Sequence, residues 1–395
     1  MNFDQVHQRH NTYSIKWDGA QDVYQNPEVI PMWIADMDFQ SPKPIIEAVQ
    51  KQVAQGIYGY TVEPGMTEIP SVIAQWLQQR NAWQIVPENL GYSAGVVNGL
   101  SMAIRGLTKE GDAIITQTPL YGHFKLAIEA SKRQLITNPL MKTAQGYQID
   151  WVDLETKIQT HHVKMAILCN PHNPTGRVWT PAELRHFVQI CQKYQVIILS
   201  DDIHSDLILP GNHYSPLATV CPEYQDHMIT FKSPSKTFNL AGFQFAYYYT
   251  TNEAYQTAMQ QAASYASNPD LPTTLALPAL KAAYQAGQPW LDELLIYLAD
   301  NLQFLTDQIE SQTKAQVTRS QATYLAWIDV SYLKVSEEQL QMALDQGGVG
   351  VQTNEEFDLT AQDGLFIRLN FATPRTILEE GIQRLIKVLQ DLDQA

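Results

Sequence analysis

Cysteine, long apolar runs and positive charge are all scarce in this 395-residue sequence. Its three cysteines, Cys169, Cys191 and Cys221, are too few for a disulfide framework, which favours a reducing compartment. The longest apolar stretches, such as residues 196–199, are far too short to cross a bilayer. No basic and apolar leader opens the sequence, so we expect no signal peptide and a soluble, cytoplasmic protein.

Basic residues are outnumbered by acidic ones. Lysine and arginine together number 26, against 41 aspartates and glutamates, and the net charge is −15. Nucleic acids and anionic membranes attract basic surfaces. We therefore expect neither a nucleic acid nor a membrane as partner, although a locally basic pocket can lie inside an acidic protein.

Short apolar segments alternate with helical patterns through the first part of the chain. The segments predict strands buried on both faces of a sheet, at 113–117, 165–169, 196–200, 228–231 and 245–249. Between two of them, Thr180-Pro181-Ala182-Glu183 is a capping box that predicts a helix over 180–194. This order of elements predicts an α/β fold with a mostly parallel sheet and helices on both faces.

The rhythm changes after about residue 285, where a long helix over 290–312 is followed by two strands at 324–329 and 366–371. This change predicts a second, smaller α+β domain. We expect a large domain over residues 46–285 and a small C-terminal domain over 286–395. Residues 1–45 are expected to form a segment that packs on the small domain and the active site.

Polar residues directly follow the predicted strands, where ligands bind in open α/β sheets. The amine of Lys236 can form a Schiff base with an aldehyde cofactor if its pKa is lowered. Asp201 is suited to pairing with a protonated pyridinium nitrogen, which makes a ring an electron sink. Asn173 can donate to a phenolate oxygen, and Tyr121 offers an aromatic face to stack on the ring.

A phosphate site is predicted at the start of the helix near residue 96. Gly95, Val96 and Val97 present free main-chain N–H groups at a helix N-terminus. Ser233 and Ser235 can add hydroxyl donors to the same anion.

Other chemistries fit these residues less well. The segment 91–95 matches the G-x-S-x-G nucleophile elbow, but residues 86–90 make a poor preceding strand and no HGGG-type motif accompanies it. Cys169 and His172 have metal-like spacing without a second pair, so we expect no metal site. Residues 95–99 do not match G-x-G-x-x-G, which disfavours a dinucleotide fold.

Six segments together carry a resemblance to a known family: residues 31–39 (PMWIADMDF), 58–61 (YGYT), 170–179 (NPHNPTGRVW), 200–207 (SDDIHSDL), 233–242 (SPSKTFNLAG) and 366–375 (FIRLNFATPR). In this order they resemble the fold-type I enzymes that depend on pyridoxal 5'-phosphate (PLP). The closer resemblance is to the MalY/PatB group of cystathionine β-lyases, or cysteine-S-conjugate β-lyases. It covers nearly the whole chain.

The resemblance implies PLP as cofactor and assigns roles to the matching residues. Lys236 would be the Schiff-base lysine and would carry the Cα proton, with Asp201 on the pyridinium nitrogen and Tyr121 on the ring. The phosphate would be held by Gly95, Val96, Val97, Ser233 and Ser235. Asn173 would contact the phenolate oxygen, and His204 is expected among the cofactor contacts.

The resemblance also implies an amino-acid substrate and a homodimer. Arg368 would clamp the substrate α-carboxylate with two hydrogen bonds, and Asn173, Ala35 and Tyr60 would line the substrate site. Tyr60 would reach the phosphate in the other subunit, so the active sites would be shared. The substrate side chain should meet the loops at 13–17, 32–37 and 353–357.

The implied reaction is α,β-elimination of a thiol from cystathionine or a related cysteine S-conjugate. An aminotransferase is the alternative, and a regulatory or binding protein on the same fold is a second one. Gln244 stands where many fold-type I aminotransferases have a phosphate-contacting arginine, and His204 stands where they have tyrosine. Both departures favour the lyase.

Overall fold

The computed structural model describes residues 1–143, 146–265 and 272–394. Its strands are β1 (Ile30–Pro31), β2 (Leu90–Ser93), β3 (Ala113–Thr118), β4 (Gln134–Pro139), β5 (Met141–Thr143), β6 (Gly146–Gln148), β7 (Met165–Cys169), β8 (Ile197–Asp201), β9 (Met228–Lys232), β10 (Ala246–Tyr249), β11 (Gln316–Val317), β12 (Leu325–Asp329), β13 (Val349–Gly350) and β14 (Phe366–Asn370). Its α-helices are α1 (Ala20–Tyr24), α2 (Lys43–Val53), α3 (Ile69–Asn81), α4 (Val96–Leu107), α5 (Gly122–Ala130), α6 (Trp151–Thr160), α7 (Pro181–Lys193), α8 (Leu217–Val220), α9 (Pro234–Thr237), α10 (Glu253–Tyr265), α11 (Ala276–Ala286), α12 (Gln288–Gln312), α13 (Glu337–Gln346) and α14 (Arg375–Gln394).

Seven strands form the central sheet in the order β2-β10-β9-β8-β7-β3-β4. The strands from β9 to β4 are parallel, and β10 runs antiparallel to both β9 and β2. The fold class expected from the sequence is therefore confirmed. Because all strands except β10 point the same way, their carboxyl ends meet at one edge of the sheet.

Helices cover both faces of this sheet, as the apolar strands require. Ala166 and Leu168 of β7 pack into one core with α6 and α7, whereas Ile167 packs into another core with α4, α5 and α10. Successive side chains of a strand point to opposite faces, so a strand covered on both sides must be apolar throughout.

A second sheet, β11-β12-β14, is antiparallel and packs with α12, α13 and α14 around a further core. The N-terminal strand β1 pairs in parallel with β13, which joins the first 31 residues to the C-terminal part of the chain. The predicted domain boundaries stay a prediction. Residue 45 lies within α2, and residue 285 lies near the end of α11.

Most predicted elements are confirmed, and the capping box is present at α7. The Thr180 hydroxyl accepts from the Glu183 main-chain N–H, and the Glu183 carboxylate accepts from the Thr180 N–H at 2.7 Å. Residues 87–89 form a 3-10 turn, in keeping with the expected poor strand over 86–90, but strand β2 begins at Leu90 and was not predicted. Edge strand β4 was missed too. Among the described residues, no helix combines the length and apolar character needed to span a bilayer.

Candidate active site

Four of the predicted site residues lie at the carboxyl edge of the sheet. Asp201 is the last residue of β8, and Tyr121, Asn173 and Lys236 lie in the segments that follow β3, β7 and β9. A fifth side chain, Arg368, comes from β14 of the second sheet. The site therefore lies between the central sheet and the C-terminal part of the chain.

Lys236 lies on the short helix α9 with its side chain directed at the N-terminal segment. Its Nζ atom donates to the main-chain oxygen of Ala35 over 2.8 Å. The same oxygen accepts from the Tyr324 hydroxyl at 3.0 Å. Burial, followed by the positive charge of Arg368, lowers the pKa of Lys236 to about 8, although Asp36 opposes this shift. An amine with this pKa is neutral in a useful fraction near physiological pH, which a nucleophile requires.

Asp201 ends β8 as a buried carboxylate. Its Oδ1 atom accepts from the Ile203 N–H at 3.1 Å, and no cation within the described part of the chain forms an ion pair with it. Burial raises its pKa to about 7, and the neighbouring charge of Asp202 adds to this rise. A buried carboxylate in this state favours a ligand that brings a positive charge.

Arg368 is the converse case, a buried cation without a carboxylate in salt-bridge range among the described residues. Its Nη1 atom donates to Asn173 Oδ1 at 3.1 Å. Its Nη2 atom donates to the Trp33 carbonyl oxygen at 3.0 Å and to Gln352 Oε1. Burial lowers the pKa of Arg368 to about 10, so it remains charged at neutral pH. This guanidinium suits a substrate carboxylate.

Tyr121 precedes α5 and is half-buried beside these charges. Its ring stacks on His123 with centroids 4.8 Å apart. A Cβ atom at Gly122 would lie 2.7 Å from the Glu356 carbonyl oxygen, so only glycine permits this close approach to the loop before β14. Burial raises the pKa of the Tyr121 hydroxyl, which therefore stays protonated.

The residues of the expected phosphate site follow the carboxyl ends of β2 and β9. These two strands are the neighbours of β10 in the central sheet. Gly95 is the N-cap residue directly before α4, and it has φ +113°, a conformation that favours glycine, with open space where a side chain would be. Val96 and Val97 form the first turn of that helix. The Ser233 hydroxyl accepts from the Ser235 N–H at 3.1 Å but donates to the Phe245 carbonyl oxygen at 2.6 Å. In this conformation Ser233 therefore has no proton left for an anion.

His204 is buried, and it lies near enough to Lys236 and Arg368 to be affected by their charges. Its Nδ1 atom has no hydrogen-bond partner among the described residues. Burial lowers its pKa to about 3, so the ring is neutral. The edge of the ring meets Tyr324, with centroids 6.2 Å apart.

Tyr60 lies on the surface of this single chain, unlike the buried site residues Asp201 and Arg368. Its side chain is 99% exposed, and the neighbouring Ile57 and Tyr58 are exposed too. The intersubunit role expected for Tyr60 stays a prediction, as do the individual roles of the other site residues.

The sequence patterns missed several side chains that hold the site together. Asn370 Nδ2 donates to the carbonyl oxygens of Ile34 at 2.6 Å and Asp36 at 2.8 Å. Lys16, which no sequence pattern identified, is also buried, and its side-chain amine forms an ion pair with Asp38 at 2.8 Å. Asn370 lies in one of the segments that carried the family resemblance, which was the available signal. These contacts fix the segment that meets Lys236 and Arg368.

The chain matches the aminotransferase class I and II family over residues 27–385. It belongs to that family. It is 35% identical to cystathionine beta-lyase PatB of Bacillus subtilis, covering 98% of this chain and 99% of that protein. It is 32% identical to protein MalY of Escherichia coli, with 98% of each chain covered.

Solved structures of family members share this fold. The PLP-bound C-S lyase of Staphylococcus hominis superposes with a TM-score of 0.90 at 32% identity, covering 98% of each chain. Cystalysin of Treponema denticola, which contains PLP, gives a TM-score of 0.93 at 31% identity, covering 99% of each. The resemblance seen in the sequence is confirmed, and so is PLP as the cofactor.

The residues present here fit this cofactor. A pyridinium N–H would give Asp201 the positively charged partner that it lacks among the described residues. The buried Nδ1 of His204 and Nδ2 of Asn170 have no hydrogen-bond partners among the described residues, which leaves polar atoms for a polar ligand. The sequence had not singled out Asn170.

Proposed function

We propose that this protein is a PLP-dependent cystathionine β-lyase that acts in the cytoplasm on cystathionine or related cysteine S-conjugates. Cystathionine and water would yield homocysteine, pyruvate and ammonia, and homocysteine would serve methionine biosynthesis. The observation that carries the proposal is a set of unpaired charges in one site: among the described residues, neither Lys236 nor Arg368 has a carboxylate in salt-bridge range, and Asp201 has no cation in that range. The α-carboxylate of an amino acid would pair with Arg368, and the pyridinium nitrogen of PLP would pair with Asp201.

The residues divide the chemical work by position. When bound, PLP supplies an electron sink for the charge left on Cα after proton removal. Asp201 keeps the ring nitrogen protonated, and the Lys236 amine takes the Cα proton. Arg368 and Asn173 orient the substrate through its α-carboxylate. Departure of the thiolate from Cβ then distinguishes elimination from amino transfer.

The products of the purified holoenzyme test this proposal. Cystathionine should give homocysteine, pyruvate and ammonia in equal amounts without an added keto acid. Lys236→Ala should abolish turnover and the visible absorbance of the bound cofactor. Lys43→Ala, which removes an exposed lysine of α2, should leave both unchanged. Full activity of Lys236→Ala would refute the assignment.

An aminotransferase is the second candidate, because the family match itself is to aminotransferases. It shares the steps up to removal of the Cα proton. Amino transfer that depends on a keto acid and releases no pyruvate from cystathionine would favour it. The relatives of 32–35% identity, one of them named as a cystathionine beta-lyase, support the lyase instead.

A homodimer with shared sites belongs to the same proposal. Ile57, Tyr58, Tyr60 and Met66 leave apolar side chains exposed along one segment, where a second copy of the chain would cover them. Tyr60 would then reach the site of the partner subunit.

A further inference from the structure

The guanidinium of Arg368 is already occupied before a substrate arrives. Both N–H groups of Nη2 are used, one by the Trp33 carbonyl oxygen and one by Gln352 Oε1. Nη1 donates to Asn173 Oδ1. The Nε atom is buried and has no partner among the described residues.

This pattern restricts how a carboxylate can bind. A guanidinium offers two flat edges to a carboxylate, one made of Nε with Nη2 and the other of Nη1 with Nη2. Each edge includes Nη2. A carboxylate that binds with two hydrogen bonds must therefore displace either Trp33 or Gln352.

The two acceptors differ in their freedom to move. The Trp33 carbonyl belongs to a segment whose next residues are fixed by Asn370, through the carbonyl oxygens of Ile34 and Asp36. The acceptor of Gln352 is a side-chain amide. Its main chain is held separately, because Arg368 N–H donates to the Gln352 carbonyl oxygen at 2.8 Å. The amide can therefore turn away while the backbone stays in place.

We infer that Gln352 is a substrate-displaced latch on Arg368, and that it sets the affinity of the site for an α-carboxylate. In the free enzyme its amide oxygen occupies Nη2 and holds the guanidinium in place. An entering carboxylate replaces that oxygen on Nη2 and takes the unpartnered Nε–H as its second donor. Gln352 is thus a specificity-determining residue that acts through Arg368. The inference rests on the proposed role of Arg368 as the carboxylate clamp.

Glycine and glycinamide provide the test on the holoenzyme. Glycine carries an α-carboxylate but lacks the Cβ needed for elimination, and glycinamide lacks the carboxylate. Calorimetry gives the dissociation constant of each. Gln352→Ala should tighten glycine binding about threefold to tenfold, the scale of one competing hydrogen bond, and leave glycinamide unchanged. Gln352→Glu should weaken glycine binding at least about a hundredfold, because a fixed carboxylate would hold the guanidinium as an ion pair.

Further variants separate the latch from the clamp. Gln346→Ala, an exposed glutamine at the end of α13, should match the wild type. With cystathionine, Gln352→Ala should lower KM with kcat nearly unchanged. Unchanged or weaker glycine binding by Gln352→Ala would overturn the latch. Arg368→Gln should lose glycine binding, and if it does not, the clamp itself is wrong.

Discussion

The side-chain amine of Lys236 donates a hydrogen bond to the main-chain oxygen of Ala35, which lies 201 positions earlier in the sequence and 2.8 Å away. This contact joins the loop after β9 to the N-terminal segment. It holds the amine in a partly buried position near Arg368, where its pKa falls to about 8. The same relationship gives a prediction for cofactor binding.

Reconstitution of the apoenzyme with PLP should depend on pH through Lys236. Only the neutral amine attacks an aldehyde, so the rate constant should rise about tenfold per pH unit below pH 8 and then level off. Stopped-flow absorbance measures this rate. Nα-acetyl-lysine, whose amine is fully solvated, provides the control and should show a rise that continues to higher pH. A continued rise to pH 10 in the protein would contradict the lowered pKa.

Asp201→Asn should make the stability of the apoenzyme less sensitive to rising pH, and it should slow catalysis by the holoenzyme. The pKa of Asp201 is raised to about 7 by folding, so this group favours the folded state at low pH. That contribution is fully present below its unfolded pKa near 4 and is lost as pH rises through about 7. Between pH 5 and pH 8 the wild-type apoenzyme should therefore lose roughly 1–4 kcal/mol of unfolding free energy that Asp201→Asn does not lose.

Urea unfolding at the two pH values measures this difference. Asp300→Asn, an exposed change on α12, should behave like the wild type. In the holoenzyme, Asp201→Asn should lower kcat by about a hundredfold or more, because the variant loses the carboxylate that keeps the ring nitrogen of PLP protonated. Equal pH dependence of the two apoproteins would contradict the raised pKa.

Sequence patterns located the charged residues of this site because of one simple geometric fact. Parallel strands end at the same edge, so Asp201 and Lys236 had to lie close together once their strands were recognised. Both strands are central and apolar, which gives a strong signal. β4 is an edge strand with a half-exposed pattern, and β2 is short and contains glycine, so neither had that signal.

The contacts of Arg368 show why the rest was not predictable. Two of its partners are the Trp33 carbonyl oxygen and the Gln352 amide, which lie 335 and 16 positions away along the chain. A main-chain oxygen is not marked by any residue type, because every residue has one, so the sequence cannot show which of them contacts Arg368. A glutamine in a glutamine-rich chain is equally uninformative. Only the folded chain brings them together, because Gln352 bridges to Arg368 beside β14 while Asn370 of β14 holds the segment that follows Trp33.

Gly95→Ala should weaken retention of PLP. The residue has φ +113° and ψ 158°, which a side chain disfavours by on the order of 1–3 kcal/mol. The first turn of α4 would shift to relieve this strain, and we expect cofactor affinity to fall about tenfold. Equilibrium dialysis measures the affinity. Gly111→Ala is the matched control: Gly111 has φ +85° and precedes β3 at the opposite edge of the sheet. A similar loss of affinity in both variants would indicate general destabilisation.

Subunit mixing tests whether the active sites are shared. A Lys236→Ala chain and a Tyr60→Ala chain should each be nearly inactive alone. In a mixed dimer, one site combines Lys236 of one chain with Tyr60 of the other and is intact, while the second site lacks both. Equal mixing with free exchange puts half of the chains in mixed dimers, so about a quarter of wild-type activity should return. Mixing Lys236→Ala with Arg368→Gln provides the control. Both changes lie in residues contributed by the same chain, so every mixed dimer has two defective sites and activity should stay low. Absence of recovery in the first mixture, with exchange verified by mass spectrometry, would show that Tyr60 serves no site in the partner subunit.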